Sequence, residues 1–234
     1  MAMRSMVHGE MNRSQNVKID NNMTLKQNLD LDTKLMTFDT ETIQVYETLS
    51  EKYSQLSGAK RPIFEVSFID KMPPNGKVLD LGCGHGAAAA NFVSKGLRVE
   101  AWDASKSMQL LAQRLFNLNV TLKTFEDLTS IRDYDGIYAN FSLLHAPKDD
   151  FIRHLSFIHK ALKVNGVFHL ALKLGEGSHR DELGRFYSYY QESELCRSLM
   201  KAGFWVKDKF EGEHKGLTGK VEPWIALQSQ KIEA

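Results

Sequence analysis

Apolar and polar positions along this chain fall into blocks that switch period several times. Short, almost wholly apolar runs read as strands buried on both faces: Lys77–Leu81, Arg98–Asp103, 120–124, Tyr134–Asn140 and 167–174. Between them, apolar residues recur at three- and four-residue spacing and predict helices over 87–95, 105–116 and 148–163. Ser105 is the expected N-cap of the second, with Met108, Leu111, Ala112 and Leu115 on one face; Asn165-Gly166 is the expected stop of the third. Two further helices, 40–55 and 63–71, precede the first strand, and Pro73-Pro74-Asn75-Gly76 ends the second. A last helix, Glu192–Lys201, stops at Gly203. It is followed by strands 204–210 and 224–230, joined by a glycine-rich loop. This alternation predicts an α/β domain with a mostly parallel sheet covered by helices on both faces.

The first stretch does not follow the pattern. Residues 1–37 show no sustained period and read as a flexible arm, with the folded domain over 38–234. The arm lacks the apolar core of a secretory signal, and no run approaches the roughly 20 residues of a membrane span. With 234 residues and 42% hydrophobic content, the chain can bury one sizeable core. Its 30 basic and 29 acidic residues leave no field to hold a long nucleic acid. The two cysteines, Cys83 in a glycine turn and Cys196 in a helix, suit a reducing compartment, so a cytoplasmic location is expected. Neither has ligand-like spacing with a histidine, and no metal site is expected.

The chemistry begins where the first strand ends. Asp80 is followed by Gly82, Gly84 and Gly86, which permit a left-handed turn and close backbone approach, and the turn empties into a helix N-terminus. This is a nucleotide-type cofactor site at the carboxyl edge of a parallel strand. Gly82, Gly84 and Ala87 also satisfy the dinucleotide pattern G-x-G-x-x-A, so glycine spacing alone leaves the cofactor open. Asp80 argues against a pyrophosphate, which it would repel, and for a ligand with a cationic end. Asp103 ends the second strand 23 positions later, where a carboxylate can accept both hydroxyls of a ribose.

The segment VLDLGCGHG, 78–86, resembles motif I of the class I S-adenosylmethionine-dependent methyltransferases, including the small-molecule and tellurite-resistance types. The resemblance runs from about Phe38 to the C-terminus. It implies a Rossmann-like seven-stranded sheet of order 3-2-1-4-5-7-6 with strand 7 antiparallel, S-adenosyl-L-methionine as cofactor, and in-line methyl transfer. It also implies Asp80 reaching toward the methionine amino group, Gly82, Cys83, Gly84 and Gly86 passing under the ligand, and Asp103 on the ribose. Asp127, or Glu126 second, is expected to meet the adenine amino group, with the Leu128 backbone nearby. Ala104, Met108 and Asn140 complete the implied cofactor set. The helical segment 40–71 is the expected lid. Its Tyr46-x6-Tyr53 spacing resembles the family's YD-x5-Y segment, with Glu47 in place of the usual Asp and Tyr53 at the methionine carboxylate; an amphipathic packing tyrosine is the alternative.

Two regions are candidates for the acceptor side. His145 follows the fourth strand and has two readings, a general base or an imidazole bonded to a loop carbonyl. His169, inside an apolar strand, reads as a core residue. The long connection after the fifth strand gathers glycines, charges and aromatics. It is read as a cover over the acceptor, with Lys173, Arg185 and Tyr187 meeting an anionic group. The expected partner is a small molecule; a macromolecular acceptor (tRNA base or protein side chain) and a non-catalytic cofactor-binding protein are the alternatives.

Overall fold

The computed structural model describes residues 38–56 and 62–232, all within one compact unit. The expected arm, 1–37, lies outside the described residues. Strands β1 (Lys77–Leu81), β2 (Arg98–Asp103), β3 (Val120–Leu122), β4 (Tyr134–Asn140) and β5 (Leu162–Lys173) pair in parallel. Hairpin strands β6 (Ser178–Arg180) and β7 (Phe186–Ser188) stand apart. Strands β8 (Phe204–Lys215) and β9 (Val221–Lys231) close the main sheet, whose order is β3-β2-β1-β4-β5-β9-β8. Only β9 runs against its neighbours, so the sheet is the Rossmann-like one expected. The order reverses at β1, which opens a crevice at its carboxyl edge.

Among the described residues six α-helices accompany the strands: α1 (Thr40–Ser54), α2 (Ile63–Asp70), α3 (Ala87–Ser94), α4 (Lys106–Phe116), α5 (Lys148–Ala161) and α6 (Glu192–Lys201). On one face, Phe151, Leu155 and Ile158 of α5 and Leu195 and Leu199 of α6 pack on Leu79, Ile137, Phe168 and Leu170. On the other, Phe64 and Phe68 of α2 and Phe92 of α3 pack on Val78, Tyr138 and Ala171. Ser105 caps α4 by accepting from the Met108 N–H, as its position predicts.

Three elements differ from expectation. α5 stops at Ala161, not at Asn165-Gly166, because Leu162 is already extended and pairs with Tyr134. Residues 163–166 then bulge out before pairing resumes at Val167 with Gly136, and the left-handed Asn165 makes that bulge. The glycine-rich stretch between the last strands is mostly strand: Gly212 sits opposite Trp224, where a Cβ would lie 2.6 Å from the indole. Finally, α2 belongs to the core, since Phe68 is fully buried; α1 is the part of segment 40–71 that crosses the crevice.

Gly82 is required by both conformation and space. Its φ is 75°, and a Cβ would meet the Ser142 Cβ at 2.3 Å. Gly177 has a similar φ of 72° with nothing within 4 Å. Gly177→Ala is therefore expected to cost about 1–2 kcal/mol, the left-handed penalty alone. Gly82→Ala should cost a further ~1–3 kcal/mol from the clash. Urea unfolding of both variants checks the difference.

Candidate active site

The turn after β1 is tied to its neighbour. Gly82 and Cys83 donate their N–H groups to the Trp102 carbonyl at 2.8 and 2.9 Å, and Gly84 donates to Asp103 Oδ2 at 2.7 Å. The other Asp103 oxygen accepts from Ser105 N–H at 2.9 Å, which fixes the carboxylate at the mouth of the crevice. Beneath the turn lies Asp80, 2% exposed, with Oδ2 lacking any hydrogen-bond partner. Burial pushes Asp80 well above the ordinary carboxylate range, and Glu65 and Asp103 push the same way, against a bond from the Ala89 N–H. Burial likewise raises Asp103, against the bonds from Ser105 and Gly84. Glu65, on α2, is buried and accepts from Asn91 at 2.7 Å. Two buried acids, Asp80 and Glu65, with Asp103 at the mouth, make a negative crevice. An orphaned carboxylate oxygen under it fits a ligand bearing a cation and does not fit a pyrophosphate. Glu65 was missed from sequence; its signal was a lone acid in the apolar run IFEVSFID.

A cavity of about 110 Å³ opens above the turn. Tyr53, Gly82, Gly84, Asp103, Ala104, Met108 and Asn140 line it together. Helix α1 supplies Thr42, Ile43 and Tyr46 besides Tyr53. Glu47 secures that helix by accepting from the N–H groups of Lys106 and Ser107 at the start of α4, a bonding pattern that a carboxylate at a helix N-terminus favours. At the other end, Arg180 pairs with Asp39, and Phe186 N–H donates to Thr42 Oγ1 at 2.8 Å, joining α1 to the β6–β7 hairpin.

Several expected residues lie elsewhere. Glu126 is bound by Arg153 and His154, each at 2.7 Å, and faces α5. Asp127 accepts from Thr124 N–H at 2.7 Å and closes a capping box on its own turn. Leu128 is in the core. The cavity wall at this end is instead Lys123, Thr124 and Phe125. Cys83 packs on the small-residue cluster of Ala89, Ala101 and Ala112. Gly86 starts α3, where a Cβ would meet Leu118 at 2.7 Å, so its need is helix packing and not ligand approach.

A second, larger cavity of about 690 Å³ adjoins the first and shares Tyr46, Tyr53, Asn140, Phe141 and His145 with it. Lys173, Arg185, Tyr187 and Trp224 line its far side. Phe141 holds a φ of 55°, costly for an aromatic residue and common where a side chain must be aimed. His145 is bonded to a backbone carbonyl, the second of the two arrangements its position allows. Its Nδ1 lies 2.6 Å from the Phe186 carbonyl, which only accepts, so the proton is on Nδ1. Nε2 therefore accepts from the Tyr46 hydroxyl at 2.9 Å. Burial pushes His145 down to about 4, against the Phe186 bond and with Arg185 and Lys173 adding to the fall. Both ring nitrogens are engaged and the ring is weakly basic, so the expected general base is in place as a support for Tyr46.

Arg185 and Lys173 are 3% and 5% exposed. Arg185 donates to Asp181 through Nε and Nη2, at 2.9 and 2.6 Å, and to Tyr46 through Nη1 at 3.2 Å. Lys173 pairs with Glu222 and lies 3.8 Å from the Tyr187 ring centre. Burial lowers its pKa, while the bond to Glu222 works in the other direction. His169 is fully buried and contacts Asn140 Oδ1 through Nε2 at 3.2 Å. Among the described residues, no cluster of His, Cys, Asp or Glu could hold a metal ion, and no helix is long and apolar enough to cross a membrane.

Two outcomes follow from this electrostatics. Because the native pKa of Asp80 is raised, its cost to the fold is absent below the unfolded value and grows as pH rises through the native one. Asp80→Asn should stabilise the ligand-free protein by on the order of 1–3 kcal/mol near neutral pH, with the gain vanishing toward pH ~4 in urea titrations. His145, pushed down to about 4, should stay neutral with its proton on Nδ1. A nitrogen-15 NMR titration between pH ~5.5 and ~8 should show no change at that ring.

Residues 78–166 match the family described as "Methyltransferase domain". YqeM of Bacillus subtilis, a protein named a methyltransferase, is 23% identical over 176 residues, covering 65% of this chain and 71% of its own. The 1,6-didemethyltoxoflavin-N1-methyltransferase of Burkholderia thailandensis, crystallised with its substrate and S-adenosylhomocysteine, superposes with a TM-score of 0.57. It is 19% identical and covers 95% of this chain and 94% of its own. A Haloferax volcanii methyltransferase in complex with the activator Trm112 superposes at 0.62, is 15% identical, and covers 83% of this chain and 97% of its own. The family match lies over β1 to the start of β5, on the glycine turn and its acids, so the chain carries a methyltransferase domain there, on the Rossmann-like sheet described above.

Proposed function

We propose that this enzyme methylates a small molecule bound in the larger cavity. The observation that carries the reading is the continuity of the two cavities through Tyr46, Tyr53, Asn140, Phe141 and His145. The acceptor cavity is walled by elements of the same domain, α1, the end of β5, β7 and the β8–β9 hairpin. The same fold serves a small heterocycle in the Burkholderia enzyme, which supports the reading. The catalytic domain is taken to span 38–234, with α1 as its lid.

S-adenosylmethionine, when bound, supplies an electrophilic sulfonium methyl. The chain's work is then to hold and orient. Asp103 accepts from the ribose hydroxyls, Asp80 answers the ammonium end from beneath the turn, and Gly82 and Gly84 let the backbone approach. Tyr53 closes the methionine end, and Thr124 with Phe125 borders the adenine end, in place of Asp127 and Glu126. Met108 and Ala104 face the ligand from the start of α4. Holding the acceptor in line can contribute about 7–11 kcal/mol without any proton transfer.

Isothermal titration tests the assignment. S-adenosylmethionine should bind with release of protons, because the raised carboxyls of Asp80 and Asp103 ionise against a cation. Asp103→Ala should weaken binding at least tenfold, and His145→Ala should leave it within about threefold. Unchanged affinity in Asp103→Ala would overturn the ribose assignment. A metabolite extract incubated with radiolabelled methyl donor should yield a labelled small product.

A further inference from the structure

Lys173 and Arg185 are held in the acceptor cavity with donor capacity to spare. Arg185 uses three of its five N–H donors, two on Asp181 and one on Tyr46. Lys173 uses one of three, on Glu222. The two carboxylates are heavily engaged: Asp181 also accepts from the N–H groups of Leu183 and Arg185, and Glu222 from the Tyr189 hydroxyl at 3.2 Å. Two almost fully buried cations thus line one cavity with unused donors, a costly arrangement that an anion relieves. The cavity's other walls are aromatic. Phe141 and Trp224 meet edge to face, 6.1 Å apart at 90°, and Phe64 lies 5.6 Å from the Trp224 ring. His145 is not a free base there, since both its nitrogens are occupied.

We propose that the acceptor is a planar aromatic or heteroaromatic compound that arrives already ionised, its anionic oxygen or nitrogen against Lys173 and Arg185 and its ring in the Phe141–Trp224 corner. The inference rests on the proposed small-molecule methyl transfer and deepens it. The proton is lost to solvent before binding, and the electron pair it leaves on the acceptor atom forms the new bond to the methyl carbon as that carbon's bond to the sulfonium sulfur breaks, the released pair staying on sulfur and S-adenosylhomocysteine leaving as the neutral thioether. The methylated product has lost its charge and with it the contacts to both cations, which favours its release.

The test uses the full chain saturated with S-adenosylhomocysteine, whose binding is measured first by titration. Absence of that binding would overturn the proposed function itself. The probes are 1-naphthoate (planar and anionic), 1-naphthamide (planar and neutral) and decahydro-1-naphthoate (anionic and not planar). 1-Naphthoate should bind one per chain and at least tenfold tighter than either of the others. Lys173→Met combined with Glu222→Gln, which strands no carboxylate, should cut that preference over the amide at least fivefold with S-adenosylhomocysteine still bound. Equal affinity for naphthoate and naphthamide in the wild type, or for naphthoate and its saturated counterpart, overturns the proposal. So does a preference unchanged in the double variant.

Discussion

The buried carboxylate of Asp80 is the constraint around which the cofactor half of the molecule is arranged. An acid at 2% exposure with one oxygen unpartnered is a standing cost, and Glu65 and Asp103 increase it. The fold tolerates that cost because β1 is central, paired on both sides by β2 and β4, and packed by α2 and α3. The glycine turn above is drawn down onto β2 by the Trp102 carbonyl and Asp103. Negative charge and exposed backbone are thereby presented together, in a place where water is scarce. A cation is what such a place discriminates for, and stability is given up to achieve it.

The larger cavity reverses the sign. There the buried charges that face the cavity are Lys173 and Arg185, each tied to a carboxylate behind it. Between the two halves runs the line Phe186, His145, Tyr46, Arg185, every link a hydrogen bond. That line connects the β7 strand, the turn after β4 and helix α1. Helix α1, the β6–β7 hairpin and the turn after β4 are one bonded unit, supplemented by Asp39 with Arg180.

Much of this was legible in the chain. Strand β1, the glycines, Asp80 and Asp103 follow from patterns whose physics is local: an apolar run, a left-handed turn, an acid at a strand end. The seven-strand order came from family resemblance and is the observed one. What sequence did not reveal depends on competition between partners. Asp127 stands where an adenine acid is expected, and one of its oxygens, Oδ2, accepts from the Thr124 N–H three residues away. Glu126 is consumed by two α5 side chains distant in sequence. Asn165-Gly166 has the composition of a helix stop, but the strand pairing of Leu162 had already ended the helix. His145 was placed correctly in the crevice, and only its neighbours Phe186 and Tyr46 reveal that its nitrogens are spent.

Gly212 carries a consequence for how acceptor selectivity can change. It lies outside the cavity, on β8, and its missing side chain is the space into which the Trp224 indole leans. Any larger residue at 212 would have to displace that indole, which lines the larger cavity, and so would reshape the cavity without altering one residue of its lining. If that cavity takes the acceptor as proposed, the breadth of molecules it admits is adjustable from behind the wall, by a substitution that leaves the glycine turn and the acids around it untouched.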